Sequence, residues 1–446
     1  MFSSDSHFRN VSDIRKEDGM CSKLRVVLGI FVMGIAVLFV FEGMANAEEP
    51  IRIGVVHNYT DLSGRSIKEG AILAQEQINK EGGIFVKEKG KKLSVELFFA
   101  NDGGKAQTSS SAVEKLCTTD KVDFLIGANV TELTLAQQEM AMDYKKLFLS
   151  SGAAGVQMWG NVKKNYDRYK YYFKFEPLDS LQLGEGMVEI GVQTAKAIAK
   201  QLNIPIKEAK AAIIAEHSEW AEPVVKMANE TFQKEGIDVV YTARPSRDAT
   251  DLTTELVEAT RKGGKMIWVC FSVEAGYALV KQIYDLKLPV ITTGYNSVAQ
   301  DAAGFWKATA GKGIYAISWT FVPPRIALTP KTIPFYDAHL ARWGHPPLTY
   351  RGNNQYNNMF LLKEAIEKAG TLDAEKLIPV LETIEYVGIM GVNKVDPKTH
   401  NSISGKGYLP NIGIQWREGG KQEVIYPDQL KSAEIQLPPE LLKLKK

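Results

Sequence analysis

Residues 122–135, VDFLIGANVTELTL, decide the fold, because an apolar strand ends in Gly, Ala and Asn and is followed at once by a helical pattern. Residues 145–155, KKLFLSSGAAG, contain a second apolar run that ends in small and polar residues. Short apolar runs bounded in this way predict buried strands of a parallel sheet. Neither strand is followed by His, Cys or Lys, so the two ends offer mainly hydroxyl groups and backbone N–H groups.

The alternation of strand and helix extends from these stretches in both directions. The strand IRIGVV at 51–56 leads into a helical pattern that stops at Gly82 and Gly83. A second series of helices and strands runs from 181 to 294. Strands that alternate with helices predict parallel sheets flanked by helices, and two such series predict two α/β lobes.

The last hundred or so residues are expected to complete both lobes rather than to form a third domain. Residues 332–344 and 356–370 have helical patterns, and residues 392–427 indicate an antiparallel hairpin region.

The composition is that of a globular protein and favours no charged partner. Over 446 residues, 54 Lys and Arg nearly balance 52 Asp and Glu, so charge gives no reason to expect nucleic acid binding. Cys21, Cys117 and Cys270 lack the paired spacing of a metal site or a disulfide framework. We expect Cys117 and Cys270 to be buried thiols in different lobes.

The N-terminus has the three parts of a secretory signal peptide, which predicts export with cleavage after Ala47. Lys23 and Arg25 precede an apolar run at 26–41, and the small-x-small pattern Ala-Asn-Ala ends at Ala47. The run of about 16 residues is shorter than the roughly 20 that a membrane-spanning helix needs, which disfavours an uncleaved anchor. The polar residues before Met20 suggest that translation starts there.

Several weak motifs occur in the order typical of one family: IRIGVV, EGAILAQEQINKEGGI, LFFANDGG, AVEKLCTTDKVDFLIG and IGIQWREGGKQEVIYP. In the order and spacing of these motifs the chain resembles the type I periplasmic substrate-binding proteins of ABC importers, the Leu/Ile/Val-binding protein-like family. The resemblance covers about residues 50–430 and rests on order and spacing rather than on one motif. It implies an α/β fold of two Rossmann-like lobes joined by a three-crossover hinge, with a ligand enclosed between the lobes.

The resemblance also implies where the chain passes between the lobes. The crossovers are expected near residues 173–179, 293–297 and 385–391. The resulting division is a signal peptide at 1–47, lobe 1 at 48–172 plus 298–385, and lobe 2 at 173–297 plus 386–436.

Ligands in open α/β sheets lie at the carboxyl ends of strands, where helix N-termini present unpaired N–H groups that suit an anion. By the resemblance, Thr131 and Gly152 match positions that hold a ligand carboxylate. Asn129, Ala153 and Ala154 lie in the same two loops and belong to the predicted site. The alternative for Thr131 is a purely structural role as a helix N-cap.

Aromatic residues form the rest of the predicted site. By the resemblance, Trp220 covers the ligand from the second lobe, and Phe271 and Tyr295 match two other positions in the cleft. His57 and Tyr59 follow the first strand at its carboxyl end. Without the resemblance, each aromatic side chain would be assigned to a core.

Two departures from the family pattern bear on the ligand. Ala154 stands where amino-acid binders have a hydroxyl, and Tyr295 stands where they have an acid that pairs with the substrate ammonium. A buried ammonium without a carboxylate partner is costly. Glu274 could replace the acid, although its place before a helix is already explained by the helix dipole. We therefore favour a small carboxylate with an apolar or aromatic body, with a branched-chain or aromatic amino acid as the alternative.

The sequence has no catalytic signature. It lacks H-E-x-x-H, G-x-S-x-G, a Walker sequence and G-x-G-x-x-G after a strand, so we expect neither an enzyme nor a bound cofactor or metal. The implied partners are a small-molecule ligand and an ABC transporter permease, and the implied location is the periplasm. We expect a monomer. An alternative is a ligand-sensing protein that acts through a separate membrane partner.

Overall fold

The apolar runs at 51–56, 122–127 and 147–151 contain strands, and a helix follows each of them. The computed structural model describes residues 49–176, 179–272, 274–320, 322, 325–404 and 407–445. The proposed signal peptide, residues 1–47, lies outside these ranges. None of the helices in the described ranges combines the length and the apolar character that a membrane span requires.

The described residues from 49 to 173 contain seven strands and five α-helices, and most of the strands are followed by a helix. They are β1 (Ile51–Val56), α1 (Leu62–Lys80), β2 (Ile84–Val86), β3 (Lys91–Leu93), β4 (Val95–Ala100), α2 (Ala106–Thr118), β5 (Phe124–Gly127), α3 (Thr131–Asp143), β6 (Phe148–Ser150), α4 (Gln157–Lys164), α5 (Tyr166–Tyr169) and β7 (Tyr172–Phe173). The second series is α6 (Ser180–Leu202), β8 (Ala211–Ala215), α7 (Ala221–Lys234), β9 (Val239–Ala243), α8 (Thr253–Arg261), β10 (Met266–Phe271), α9 (Ala275–Asp285), β11 (Ile291–Asn296), α10 (Phe305–Ala308) and β12 (Ile317–Thr320).

The C-terminal part mixes long helices with short antiparallel strands. Its elements are α11 (Thr332–Trp343), α12 (Tyr350–Ala369), α13 (Ala374–Thr383), β13 (Tyr386–Val387), β14 (Val392–Asn393), β15 (Ile412–Trp416), β16 (Gln422–Tyr426) and α14 (Pro439–Leu442).

Two parallel sheets organise the fold, as expected. The first has the strand order β4-β1-β5-β6-β7 and the second has the order β11-β10-β8-β9. An antiparallel sheet, β12-β15-β16, extends the second lobe beside β11. The predicted class, α/β with parallel sheets flanked by helices, is confirmed.

One part of the predicted lobe division differs from the structure. We placed residues 298–385 in the first lobe, but Val298, Phe305 and Ala316 lie in one buried cluster with residues of β10 and α9. Strand β12 also pairs with β15 through backbone hydrogen bonds. Residues 298–320 therefore pack in the second lobe, because their apolar side chains are buried there. The other lobe boundaries remain predictions.

Cys117 and Cys270 are both buried and unpaired, as expected. Cys117 lies on α2 of the first lobe and Cys270 on β10 of the second. Burial raises the pKa of the Cys117 thiol to about 11, so it stays protonated at neutral pH.

Helices α1 and α12 cross at glycines. A Cβ atom added at Gly70 would lie 2.2 Å from the carbonyl oxygen of Gly352, and one added at Gly352 would lie 2.4 Å from that of Ser66. The hydroxyl of Ser66 donates to the carbonyl oxygen of Thr349 and accepts from its backbone N–H, both at 3.1 Å. This close crossing fixes the start of α12 against α1.

Charged side chains are buried where the chain leaves the first sheet. Burial raises the pKa of Glu176 to about 7, although hydrogen bonds from Asn357 and Asn393 partly offset this. Burial also lowers the pKa of Lys174 to about 7, against the opposing charge of Asp179. The first crossover therefore holds an acid and a base that both titrate near neutrality.

The raised pKa of Glu176 predicts a pH-dependent stability that Glu176→Gln removes. The folded state binds the proton more tightly than the unfolded chain, so stability is greatest below the unfolded pKa and falls as pH rises through about 7. From pH 5 to pH 8 we expect the wild type to lose about 2 kcal/mol of unfolding free energy relative to the variant. Urea unfolding at both pH values measures the difference. A difference between the two proteins that does not change with pH would contradict this assignment.

Candidate functional site

A cavity between the lobes lies at the carboxyl ends of β5 and β6. Six of the ten predicted residues line it: Asn129, Thr131, Gly152, Ala154, Trp220 and Tyr295. Its wall also contains Glu132, Leu183, Arg247, Ser272, Tyr350 and Arg351. The cavity has a volume of about 30 Å³, space for a water molecule or two, so a larger ligand requires the walls to move apart.

The first wall consists of the loops that follow β5 and β6. These strands are parallel neighbours, with Gly127 opposite Ser150, so their loops emerge side by side. Gly152 packs tightly there, since a Cβ atom would lie 2.8 Å from the carbonyl oxygen of Ala128 and 3.0 Å from Asn129 Oδ1. The glycine is therefore required by the packing of the two loops as well as being available to a ligand.

Thr131 is the first residue of α3, and the N-cap residue is Val130, which makes no side-chain cap bond. The alternative role of Thr131 as the N-cap does not match this geometry. Thr131 is 3% exposed and lies in the cavity wall at the N-terminal end of α3, where backbone N–H groups have no partner within the helix. Its contact with a ligand remains a prediction.

The second wall is built around Trp220, which immediately precedes α7. Its indole Nε1 donates to Glu216 Oε1 at 2.7 Å. Glu216 is fully buried and also accepts from the backbone N–H of Ser272 at 2.6 Å and from the hydroxyl of Ser218 at 2.9 Å. Glu216 therefore orients Trp220 and has its oxygens occupied by protein donors.

A chain of aromatic rings continues from Trp220 across the cavity. Trp220 contacts Tyr295 edge-on at 5.8 Å, Tyr295 contacts Trp319 at 5.5 Å, and Trp319 contacts Tyr350 at 5.9 Å between ring centroids. Tyr350 belongs to the first lobe, so this chain joins the two lobes. Trp220, Tyr295 and Tyr350 line the cavity and give it apolar surface, and Trp319 is buried behind them.

Arg351 lines the cavity and was not among the residues predicted from the sequence. Thr349 caps α12 through its hydroxyl, which places Arg351 in the first turn of the helix. The guanidinium donates through Nε to Asn129 Oδ1 and lies over the ring of Tyr350, 4.6 Å from its centroid. Arg351 is 3% exposed, and its Nη1 has no hydrogen-bond partner among the described residues.

Arg247 brings a second guanidinium to the wall. Its Nε forms an ion pair with Glu216 Oε1 at 3.7 Å, which is beyond hydrogen-bond distance, and has no hydrogen-bond partner among the described residues. Glu132, half-buried in the first turn of α3, is the acid that faces the same space. The site therefore combines two cations with one carboxylate that is open to the cavity.

The polar first half of α12 anchors the helix to the first sheet. Asn354 Nδ2 donates to the Ser151 carbonyl at 2.9 Å, Ser151 Oγ donates to Gln355 at 2.8 Å, and Asn358 Nδ2 donates to the Ser150 carbonyl at 3.1 Å. Together with Arg351 these residues have the spacing i, i+3, i+4 and i+7. In the sequence, the stretch RGNNQYNN at 351–358 contains these polar residues. Their spacing places them on one face of a helix, and this pattern could have identified Arg351.

Four predicted residues do not line the cavity. Phe271 is fully buried in the core of the second lobe, and Ala153 is buried in that of the first. His57 bonds through Nδ1 to the Asn58 carbonyl oxygen at 2.8 Å, and burial lowers the pKa of its ring. Tyr59 donates to the Val55 carbonyl at 2.6 Å. Packing and local hydrogen bonds account for these four.

Two further candidates lie outside the cavity. Glu274, considered above as a partner for an ammonium, is exposed and contributes to a groove on the surface with Arg247 and Tyr277. A groove of about 470 Å³ lies near Tyr284 and Trp306, at the start of β11 and away from the carboxyl ends of the parallel strands. We place the ligand site between the lobes, because buried polar groups converge there.

A periplasmic binding protein family model matches residues 50–410. The chain belongs to this family. Periplasmic binding proteins bind solutes and are not enzymes, so the resemblance and the prediction of no catalytic activity are both confirmed. The family binds small molecules and works with ABC transporter permeases.

Among the relatives of this periplasmic binding protein is Leu/Ile/Val-binding protein homolog 7 of Brucella melitensis, 21% identical over 418 residues, which are 91% of this chain and 99% of the relative. A substrate binding protein of a branched-chain amino acid transporter from Streptococcus pneumoniae, solved with isoleucine, has a TM-score of 0.68 at 19% identity and covers 85% of this chain and 100% of its own.

A solute binding protein from R. palustris, solved in complex with benzoate, has a TM-score of 0.67 at 15% identity and covers 88% of this chain and 99% of its own. At these identities the solved structures establish the shared fold. One relative of this binding protein thus holds an amino acid and another holds an aromatic carboxylate.

Proposed function

We propose that the chain is an exported binding protein that captures a small carboxylate with an apolar or aromatic body and delivers it to the permease of an ABC transporter. The observation that carries the proposal is Arg351, a buried guanidinium in the cavity wall whose Nη1 has no hydrogen-bond partner in the part of the chain that the structure describes. A buried donor without a hydrogen-bond partner is costly, and a ligand carboxylate would remove that cost through charge-assisted hydrogen bonds.

The aromatic rings support an apolar ligand body. Trp220 and Tyr295 line the cavity from the second lobe, and Tyr350 lines it beside the loop that follows β6, where its hydroxyl donates to the Gly152 carbonyl oxygen at 3.4 Å. A flat body between them would have apolar contacts on one side and the anion site of Arg351 and Thr131 on the other. Small-molecule sites usually combine a mainly apolar pocket with a few polar groups that orient the ligand.

The charges favour a ligand without an ammonium group. Arg351 lines the cavity and would repel an ammonium, whereas the charge of Arg247 is balanced by Glu216 at 3.7 Å, and the oxygens of Glu216 already accept from Trp220 and Ser272. Glu132 is the remaining acid of the wall. A branched-chain or aromatic amino acid is the second candidate, favoured by the isoleucine-bound relative and by Glu132 as a partner for its ammonium.

A thermal-unfolding screen would decide between these ligands. Leucine, isoleucine, valine and phenylalanine are each compared with the corresponding carboxylate that lacks the amino group, and benzoate is included. A ligand at 1,000 times its dissociation constant stabilises the folded state by about 4 kcal/mol, which raises the melting temperature by several degrees. We expect the carboxylates to raise it and the amino acids to have little effect.

The opposite result would contradict the preferred ligand class. If the amino acids stabilise the protein and the deaminated carboxylates do not, the site contains a partner for an ammonium. Glu132→Gln should then abolish that stabilisation, since Glu132 is the acid with access to the cavity.

The route of the captured solute is also part of the proposal. Export rests on the signal peptide pattern, and delivery to a permease rests on the family. The alternative is a sensor that acts through a separate membrane partner. Neighbouring genes distinguish the two, because permease and ATPase genes beside this one indicate import.

A further inference from the structure

A cluster of metal-binding side chain types lies outside the ligand cavity. Glu69 on α1, His339 on α11 and His345 in the loop before α12 each direct one potential ligand atom to a common point, and the three atoms lie within 4.8 Å of one another. His339 is buried and Glu69 and His345 are half-buried. The cluster joins three segments that are distant in sequence.

The hydrogen bonds of the histidines determine which nitrogen faces the cluster. His339 Nδ1 lies 3.0 Å from the His345 carbonyl oxygen, and His345 Nδ1 lies 2.8 Å from the Pro346 carbonyl oxygen. A carbonyl oxygen only accepts, so we assign the proton of each neutral ring to Nδ1. Each Nε2 then directs a lone pair at the carboxylate of Glu69. This arrangement is the one that metal-bound histidines usually adopt.

The distances do not match hydrogen bonds between the histidines and the acid. His339 Nε2 lies 3.5 Å from Glu69 Oε2, and His345 Nε2 lies 3.5 Å from Glu69 Oε1. Hydrogen bonds of this type are about 2.7–3.2 Å long. Glu69 Oε2 is buried and has no hydrogen-bond partner among the described residues.

Each of these distances, one to Oε2 and the other to Oε1 of Glu69, is close to the distance between two ligands of one ion. When a tetrahedral Zn²⁺ lies about 2.1 Å from a nitrogen and an oxygen, those two atoms are about 3.4 Å apart. Two imidazoles and one carboxylate also form a well-known zinc ligand set with a fourth position for water. Imidazole ligands disfavour Mg²⁺ and Ca²⁺, which prefer oxygen.

We propose that Glu69, His339 and His345 form a binding site for a divalent transition-metal cation, with Zn²⁺ as the best match. The ion would join α1 to α11 and to the loop before α12, next to the Arg342–Glu76 ion pair that links α1 and α11 at 3.0 Å. His345 lies six residues before Arg351. A metal here would therefore hold the segment that leads to the ligand site.

Metal titration of chelator-treated, tag-free protein tests the proposal. Isothermal titration with ZnCl₂ should show one site per chain with a dissociation constant in the micromolar range or below, and MgCl₂ should show none. Co²⁺ should give visible absorption bands of a tetrahedral site. Glu69→Gln and His345→Gln should each weaken Zn²⁺ binding at least tenfold. The matched control His217→Gln, at an exposed histidine outside the cluster, should bind as the wild type does.

His345→Gln is the decisive variant, because its half-buried position makes loss of folding less of a concern than at His339. Far-UV circular dichroism of each metal-free variant verifies that it is folded. Absence of Zn²⁺ binding by the wild type would overturn the proposal. Binding that persists unchanged in both Glu69→Gln and His345→Gln would overturn it as well, since the ion would then lie elsewhere. If the cluster is only an ion pair between a histidine and Glu69, the wild type will not bind Zn²⁺.

Discussion

Replacing Arg351 with alanine is expected to weaken carboxylate binding at least 100-fold, a loss of about 3 kcal/mol. The guanidinium is buried in the cavity wall, and its Nη1 has no partner among the described residues. A ligand carboxylate that depends on this donor would lose its counter-ion in a site with little water. Isothermal titration with benzoate, or with the carboxylate that gives the largest rise in melting temperature, measures the change.

Two variants separate the role of Arg351 from general effects of charge. Arg351→Lys keeps the charge but loses the planar pair of donors, so binding should recover only in part. Arg65→Ala removes an exposed arginine outside the cavity and should change affinity less than twofold. Affinity of Arg351→Ala within threefold of the wild type would show that the carboxylate binds elsewhere.

Replacing Gly70 with alanine is expected to destabilise the protein by about 3 kcal/mol or more. The added Cβ would lie 2.2 Å from the carbonyl oxygen of Gly352, where real contacts do not occur. The obstacle is backbone of α12 rather than a flexible side chain, so α1 and α12 must separate. Urea unfolding of both proteins measures the difference in unfolding free energy, provided that this free energy has the same dependence on urea concentration in each.

Gly160→Ala is the matched control for this substitution. Gly160 lies within helix α4, and a Cβ there would meet no atom within 4 Å. Alanine has a higher helix propensity than glycine, so the control should be neutral or stabilising by up to about 1 kcal/mol. If both variants lose the same stability, the close crossing of α1 and α12 is not the cause.

The sequence predicted the parallel sheets and the position of the cavity, because both follow from local patterns. The strands around 122–155 are short apolar runs, and their carboxyl ends are adjacent once the sheet is parallel. Asn129, Thr131 and Gly152 line the cavity for this reason. The second lobe contributes Trp220 from the loop that precedes α7.

The remaining site residues depend on contacts that sequence periodicity does not indicate. The pattern of 356–370 predicted a helix that starts at Tyr356, but α12 begins at Tyr350. Its first two turns are polar and nevertheless buried, because Asn354 and Asn358 bond to the ends of β6. A pattern based on an apolar face therefore missed this half of the helix and Arg351 with it.

The ring of Trp319 lies on β12 in the second lobe, and the ring of Tyr350 lies on α12 in the first, 5.9 Å away. Separation of the lobes would change what surrounds this indole while leaving its bond to Asn411 within the second lobe intact. Indole emission depends on the polarity of its surroundings, so the chain contains an intrinsic optical reporter of its own opening. Phenylalanine substituted at each of the other six tryptophans would isolate that signal without attaching a dye.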